Sequence, residues 1–317
     1  MNVIVKSKNR NGEAGAGNVT FGLALGGGGM KGWAHVGVLS VLDQYGLEPD
    51  IISGCSVGAL IGAYKAYGYT IDEMKQFMRE QKTSSLFSLR FDGLGLLSTE
   101  AFREYLVQHF GDCRFEDLKT PFSVICTDLE TGREVVINRG TLVDALLASS
   151  AMPGIFSPVE IDGRLLVDGG LCNNVPVSVL VNMGARYTIA VRLHRDLTGL
   201  NAPPVKRKKA VDTTDRGVYF SMWTERLKNA FRGENSRLPN GLEVFGRAME
   251  IVVSRLEGYR LQAYPPDVLI SPDVSHVQTL SFSEEKEEIF SSGVKAAEAE
   301  AYNLERIAER IKAGTVS

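Results

Sequence analysis

The pentapeptide Gly54-Cys55-Ser56-Val57-Gly58 has the form G-x-S-x-G, a spacing that suits a serine nucleophile. The reason is steric. A serine on a cramped strand-to-helix turn needs flanking residues without side chains, which Gly54 and Gly58 supply. The turn presents the Ser56 hydroxyl at a helix N-terminus, where the dipole favours developing negative charge. By pattern alone the match is weak in a chain with 33 glycines, and a plain glycine-rich strand–helix turn fits it too. Context strengthens it: Asp50 to Ser53 reads as a short strand before the motif, and a helix follows to about Gly68.

A second glycine cluster, Gly26 to Gly29 with Met30-Lys31-Gly32, follows the first apolar run and opens a helix. Successive glycines leave backbone N–H groups free to face an anion. Two anions suit the loop: a phosphate, or the oxyanion of a tetrahedral acyl intermediate. Gly27-x-Gly29-x-x-Gly32 also fits the dinucleotide pattern G-x-G-x-x-G, which wants an acid at the end of the second strand. Glu48 and Asp50 precede that strand, and its end carries Gly54 and Ser56 instead. The oxyanion reading is therefore ranked above a nucleotide site.

A serine nucleophile needs a base. Of the four histidines, His35 lies inside the first helix as a packing residue and His109 near a helix end before Gly111. His194 and His276 come late. Ser56, Asp168 and His276 follow the chain order of an α/β-hydrolase triad, but His276 lacks a glycine or other site signature around it. Asp168 ends a strand and is followed by Gly169-Gly170, a bend that exposes a carboxylate at the sheet's edge. A carboxylate serves as base toward a hydroxyl if it is partly desolvated and bonded to it. Taken alone, Asp-Gly-Gly reads as a turn.

The elements that must position these residues alternate. Val19 to Leu25 reads as strand, Lys31 to Tyr45 as helix, then the second strand and the nucleophile helix, an order that predicts a parallel sheet flanked by helices. Helical spacing recurs near 70–82, 98–110, 142–151 and 177–183. Phe122 to Asp128 and Arg133 to Asn138 read as a hairpin, with further strands at 164–167, 186–193 and 267–270. Residues 196–218 read as a loop, 218–231 as an aromatic, basic helix, 241–261 as a further helix and 283–313 as one long charged helix.

The 317 residues are 44% hydrophobic and 23% charged with a net charge of −3, enough for a sizeable core and without a field that attracts nucleic acid. The four cysteines match no zinc spacing, and neither metal nor cofactor is called for. The first 20 residues lack the apolar stretch of a signal peptide, and no run of 18 apolar residues occurs. The expected location is the cytoplasm, free or peripheral to a membrane.

Together the blocks Gly26 to Leu39, Gly54 to Gly58, Ala148 to Pro158 and Val167 to Pro176 resemble the patatin-like phospholipase family, over about residues 19–193 and in the family's order. The resemblance implies a three-layer α/β/α fold with a mainly parallel central sheet, and hydrolysis of phospholipid, lysophospholipid or neutral-lipid acyl esters without a metal. It also implies roles: Ser56 as nucleophile, Asp168 as base, Gly27 to Gly29 as oxyanion hole, with Lys31, Gly54, Gly58, Gly169 and Gly170 in support and no histidine taking part.

The expected organisation is an N-terminal arm (1–18), the catalytic core (19–193), a basic and aromatic helical insertion (194–262), then a last core strand and C-terminal helix (263–317). From 203 to 237 nine Lys/Arg stand against four acids, a composition that suits peripheral membrane contact or, equally, an ordinary helix with charges in water. Two other readings stay open: an acyl-carrier transacylase or Ser-His-Asp esterase with a histidine base, and a non-catalytic lipid-binding module.

Overall fold

The computed structural model describes residues 21–80, 99–194, 241–274, 277 and 286–314. The expected arm (1–18), the loop and aromatic helix at 196–231, the basic stretch 203–237 and His276 lie outside them.

The chain builds one eight-stranded sheet: β1 (Phe21–Leu25), β2 (Ile51–Cys55), β3 (Phe122–Asp128), β4 (Glu134–Ile137), β5 (Val159–Ile161), β6 (Arg164–Asp168), β7 (Tyr187–Val191) and β8 (Val268–Ile270). Its order is β5-β6-β3-β2-β1-β7-β8, with β4 also paired to β3. The pairs among β1, β2, β3, β7 and β8 are parallel, and β4, β5 and β6 are joined by antiparallel pairs. The central strands β1, β2 and β3 are buried at every position, as a parallel sheet covered on both faces requires.

The helices are α1 (Trp33–Gln44), α2 (Val57–Tyr67), α3 (Ile71–Glu80), α4 (Glu100–Phe110), α5 (Leu142–Ser149), α6 (Gly170–Asn173), α7 (Val177–Asn182), α8 (Gly241–Ala263), α9 (Lys286–Ala299) and α10 (Ala301–Gly314). One sheet face carries Leu23, Leu25, Ile52, Val124 and Val191 into the main core beneath α1, α2 and α5. The other carries the smaller Ala24, Ile51 and Ala190 against Val177 and Leu180 of α7 and Leu261 of α8. This is the three-layer α/β/α arrangement expected, with α8 in the thinner layer.

Two elements differ from expectation. Strand β5 precedes β6 as a tight hairpin through Asp162 (φ 51°) and Gly163 (φ 72°). At three residues, directly after Pro158, it is too short to show alternation. The C-terminal helix is two helices, broken at Glu300. The Glu300 carbonyl accepts from the Asn303 and Leu304 amides and its carboxylate from Asn303 Nδ2 at 2.7 Å, so Glu300 starts α10 anew. The break carries neither glycine nor proline. α9 packs closely on α1: a Cβ on Gly293 would stand 2.0 Å from the Ala34 carbonyl oxygen.

Candidate functional site

Sheet register brings the site together. Ile125 and Cys126, consecutive in β3, have Cys55 and Asp168 as their respective partners. β2 runs parallel to β3 and β6 antiparallel to it, so the two C-terminal ends meet there. Ser56, one residue past β2, and Asp168, the last of β6, come from positions 112 apart in sequence to one spot at the carboxyl end of the parallel strands. This is where open α/β sheets place ligands.

Ser56 sits at φ 52°, ψ −125° as the residue before α2, one of two non-glycine residues with positive φ among the described residues. A strained backbone of this kind persists only where neighbours over-determine it. Here the Ser56 amide donates to Ser149 Oγ at 2.8 Å, and Ser149 Oγ donates to the Ile125 carbonyl at 2.7 Å. The turn also demands close approach: a Cβ on Gly58 would lie 2.1 Å from the Leu25 carbonyl oxygen.

Asp168 is buried. Oδ1 accepts from the Gly170 amide at 2.8 Å, the Cys55 thiol approaches it at 3.7 Å, and the Ser56 side chain stands near enough to favour the ionised carboxylate. Its backbone is pinned too: its amide donates to the Ala151 carbonyl and its carbonyl accepts from Thr127 Oγ1 at 2.9 Å. Burial raises the carboxyl above its ordinary value. The Gly170 amide and the nearby Ser56 and Cys55 side chains pull the other way without reversing the shift. The Cys55 thiol is itself held well up by burial and by Asp168, so it remains a protonated donor.

The glycine loop lies beside this pair. A Cβ on Gly27 would stand 3.2 Å from Ser56 Cβ. The Gly26 amide donates to Val191 and the Gly27 amide to the Asn174 carbonyl at 3.3 Å, while among the described residues the Gly28 and Gly29 amides have no hydrogen-bond acceptor. His35 donates from Nε2 to the Gly26 carbonyl at 2.7 Å; burial, opposed by that bond, lowers its pKa to about 4, so the ring stays neutral beneath the loop.

Lys31 is buried and pairs with Glu250 of α8 at 2.8 Å, with Arg247 on the same carboxylate at 2.6 Å. Of the expected supporting residues, Gly54 packs against Gly58 and Ala59 of α2, and Gly169 against the Ile125 carbonyl. Among the candidate bases, His109 lies in an aromatic cluster with Tyr64, Phe77 and Tyr105.

A second polar group, which sequence reasoning missed, abuts the loop. Asn174 Nδ2 lies 2.6 Å from Glu257 Oε2, 3.1 Å from His194 Nδ1 and 3.3 Å from the Gly27 carbonyl. His194 Nδ1 is 3.4 Å from Glu257 Oε2, and all three side chains are buried. The available signals were the second asparagine after Asp-Gly-Gly and the Glu250–Glu257 spacing, which puts both carboxylates on one face of α8.

The model of the patatin-like phospholipase family matches residues 23–181. An uncharacterized NTE family protein of Mycobacterium tuberculosis is 35% identical over 180 residues, covering 56% of this chain and 50% of the relative. The neuropathy target esterase sws of Drosophila melanogaster and the human patatin-like phospholipase domain-containing protein 6 are each 33% identical over 180 residues, covering 54% of this chain and 13% of theirs. The chain thus spans about half the length of the mycobacterial relative and about an eighth of the animal ones. The crystal structure of VipD from Legionella pneumophila superposes with a TM-score of 0.56 at 14% identity, over 95% of this chain and 69% of that one, a likeness of fold. The matched span takes in Gly26 to Gly32, Ser56 and Asp168 alike, and the chain belongs to the patatin-like phospholipase family.

Proposed function

We propose that the chain is a serine hydrolase of lipid acyl esters in which Ser56 is the nucleophile and Asp168 the single base. The observation that carries this is the Ser56 hydroxyl on its strained turn, brought by the register of β2 and β6 on β3 beside a buried carboxylate of raised pKa. The Ser56 Oγ attacks the ester carbonyl as Asp168 takes its proton. The oxyanion forms against the Gly28 and Gly29 amides, with Gly27 packed on the serine. The carbonyl–alkoxy bond then breaks and Asp168 returns the proton to the departing alcohol. Water attacks the acyl-serine, Asp168 accepts its proton, and the acyl–Oγ bond breaks as that proton returns to Ser56.

Burial suits Asp168 to this task. Desolvation brings the carboxylate nearer in basicity to the group it must deprotonate, and the thiol and amide donors keep enough of it ionised. His194 supports a different role: its Nδ1 faces Asn174 and Glu257.

The test is hydrolysis of a short-chain p-nitrophenyl ester by wild type, Ser56→Ala, Asp168→Asn and the double variant His194→Ala/His276→Ala. Loss in the first two variants, with turnover retained in the histidine variant, is the expected pattern. A folded histidine variant without activity, beside an active Asp168→Asn, replaces this reading with a histidine-based esterase or transacylase. No turnover by wild type leaves a lipid-binding module.

A further inference from the structure

α8 is built inside out. Glu250, Ser254 and Glu257 recur at helical spacing on its inward side, and the two carboxylates hold Lys31, Asn174 and His194. Its outward side is apolar: Val244, Phe245, Ile251, Val252 and Tyr259 are between 39% and 61% exposed. The other exposed positions from 244 to 259 are Arg247, Ala248 and Arg255; Arg247 shares the partly exposed Glu250 carboxylate, and Arg255 leaves the face positive with no fully exposed acid. A surface helix ordinarily shows the reverse arrangement, and a contiguous exposed apolar strip marks an interaction site.

The helix that carries the strip borders the site. Val253 Cγ1 lies 3.6 Å from where a Cβ on Gly170 would stand, and the Phe245 ring 3.5 Å from the corresponding point on Gly154. The 23 residues of α8 span roughly 34 Å. Apolar side chains with arginine and no carboxylate are what enters the headgroup region of an anionic bilayer. A second copy fits less well, because a two-fold contact gathers the arginines of both chains into one apolar seam without a counter-charge.

We propose that the outward face of α8 docks the protein on an anionic phospholipid bilayer, Ile251, Val252 and Phe245 entering the headgroup boundary and Arg247 and Arg255 meeting lipid phosphates. The proposal rests on the lipid-ester reading above. One helix then grips the glycine loop with one side and the lipid surface with the other, which places Ser56 next to the bilayer that holds its substrate.

The test sediments the full chain carrying Ser56→Ala, so that no lipid is consumed, with vesicles of phosphatidylcholine alone or mixed with phosphatidylglycerol. The expected result is binding to the mixed vesicles that weakens with added salt. It falls about ten-fold or more in Ile251→Ser/Val252→Ser and about five-fold in Arg255→Gln. The same substitutions on an intact Ser56 leave short-chain ester turnover unchanged. Absence of binding to anionic vesicles, or equal binding by the variants, overturns the proposal. So does a dimer in solution that Ile251→Ser/Val252→Ser converts to monomer, which assigns the face to a second copy. A wild type that binds vesicles but hydrolyses no soluble ester keeps the docking surface and removes the hydrolase reading.

Discussion

Asn174 grips Gly27 from both ends of its residue: the Gly27 amide donates to the Asn174 carbonyl at 3.3 Å, and Asn174 Nδ2 lies at the same distance from the Gly27 carbonyl. The grip fixes the peptide plane that follows Gly27, and with it the direction of the Gly28 amide. Asn174 is in turn held by Glu257 of α8, at 2.6 Å. The geometry of the glycine loop thus depends on a carboxylate 230 residues along the chain.

Asn174→Ala removes the side-chain half of the grip and leaves the Glu257 carboxylate without its nearest donor. The expected result is a fall in kcat of roughly 10²-fold with KM little changed, because only the oxyanion contact is misaligned. Steady-state kinetics on the p-nitrophenyl ester check this. A fall confined to KM assigns Asn174 to substrate binding instead.

Asp168 yields a prediction on stability opposite to that on activity. Its folded pKa is raised above the unfolded value by burial, so the fold favours the protonated carboxyl, and stability declines as pH rises through that window. Asp168→Asn, neutral at every pH, is therefore expected to be inactive yet to melt higher than wild type at pH 7, by roughly 2–5 °C. The difference shrinks as pH falls from 7 toward 4 and the wild-type carboxyl takes up its proton. Thermal melts at the two pH values check the sign.

The same carboxyl sets the acid limb of the rate profile, which is expected above the ordinary aspartate value of 3.8. The Cys55 thiol, 3.7 Å from Oδ1, stabilises the ionised form. Cys55→Ala removes that donor and moves the limb of kcat/KM to higher pH, with activity at pH 8 retained. A limb that stays put shows that the contact carries no weight.

What was legible in the sequence and what was not divide along physical lines. The nucleophile turn, the glycine loop and Asp-Gly-Gly each need particular residue types at fixed short spacing, so they stand out locally, and the order of strands and helices places them. The register that sets Cys55 and Asp168 beside consecutive residues of β3 is a long-range fact. So is the arrival of Glu250 and Glu257 at the loop. Apolar residues at helical spacing suggest an inward face, and in α8 that inference points the wrong way: Val244, Ile251 and Val252 face outward while the acids face the core. Strand β5 escaped because three residues carry no period, and the break at Glu300 because no glycine or proline marks it.

The Lys31–Glu250 pair is the other hold of α8 on the loop. Lys31 is almost fully buried, with its side chain 3% exposed, whereas Glu250 is 20% exposed and shared with Arg247. Burial works against ionisation of Glu250, but the hydrogen bonds and charges of Lys31 and Arg247 outweigh it and lower its pKa. A depressed carboxylate contributes stability that is present above its unfolded pKa and is lost as pH falls through the folded one. Glu250→Gln keeps the volume, removes the charge and leaves a buried ammonium with a weaker acceptor. It is expected to cost about 2 kcal/mol at pH 7, less than a fully buried pair because Glu250 keeps some solvent. Lys31→Met/Glu250→Gln removes both charges and is expected to recover most of that loss while kcat stays low, since the loop keeps only the Asn174–Glu257 hold on α8. Denaturant melts of the single and double variants at pH 7 and pH 4 check both points. A Glu250→Gln deficit as large at pH 4 as at pH 7 would show that packing, and not the charge pair, joins α8 to the loop.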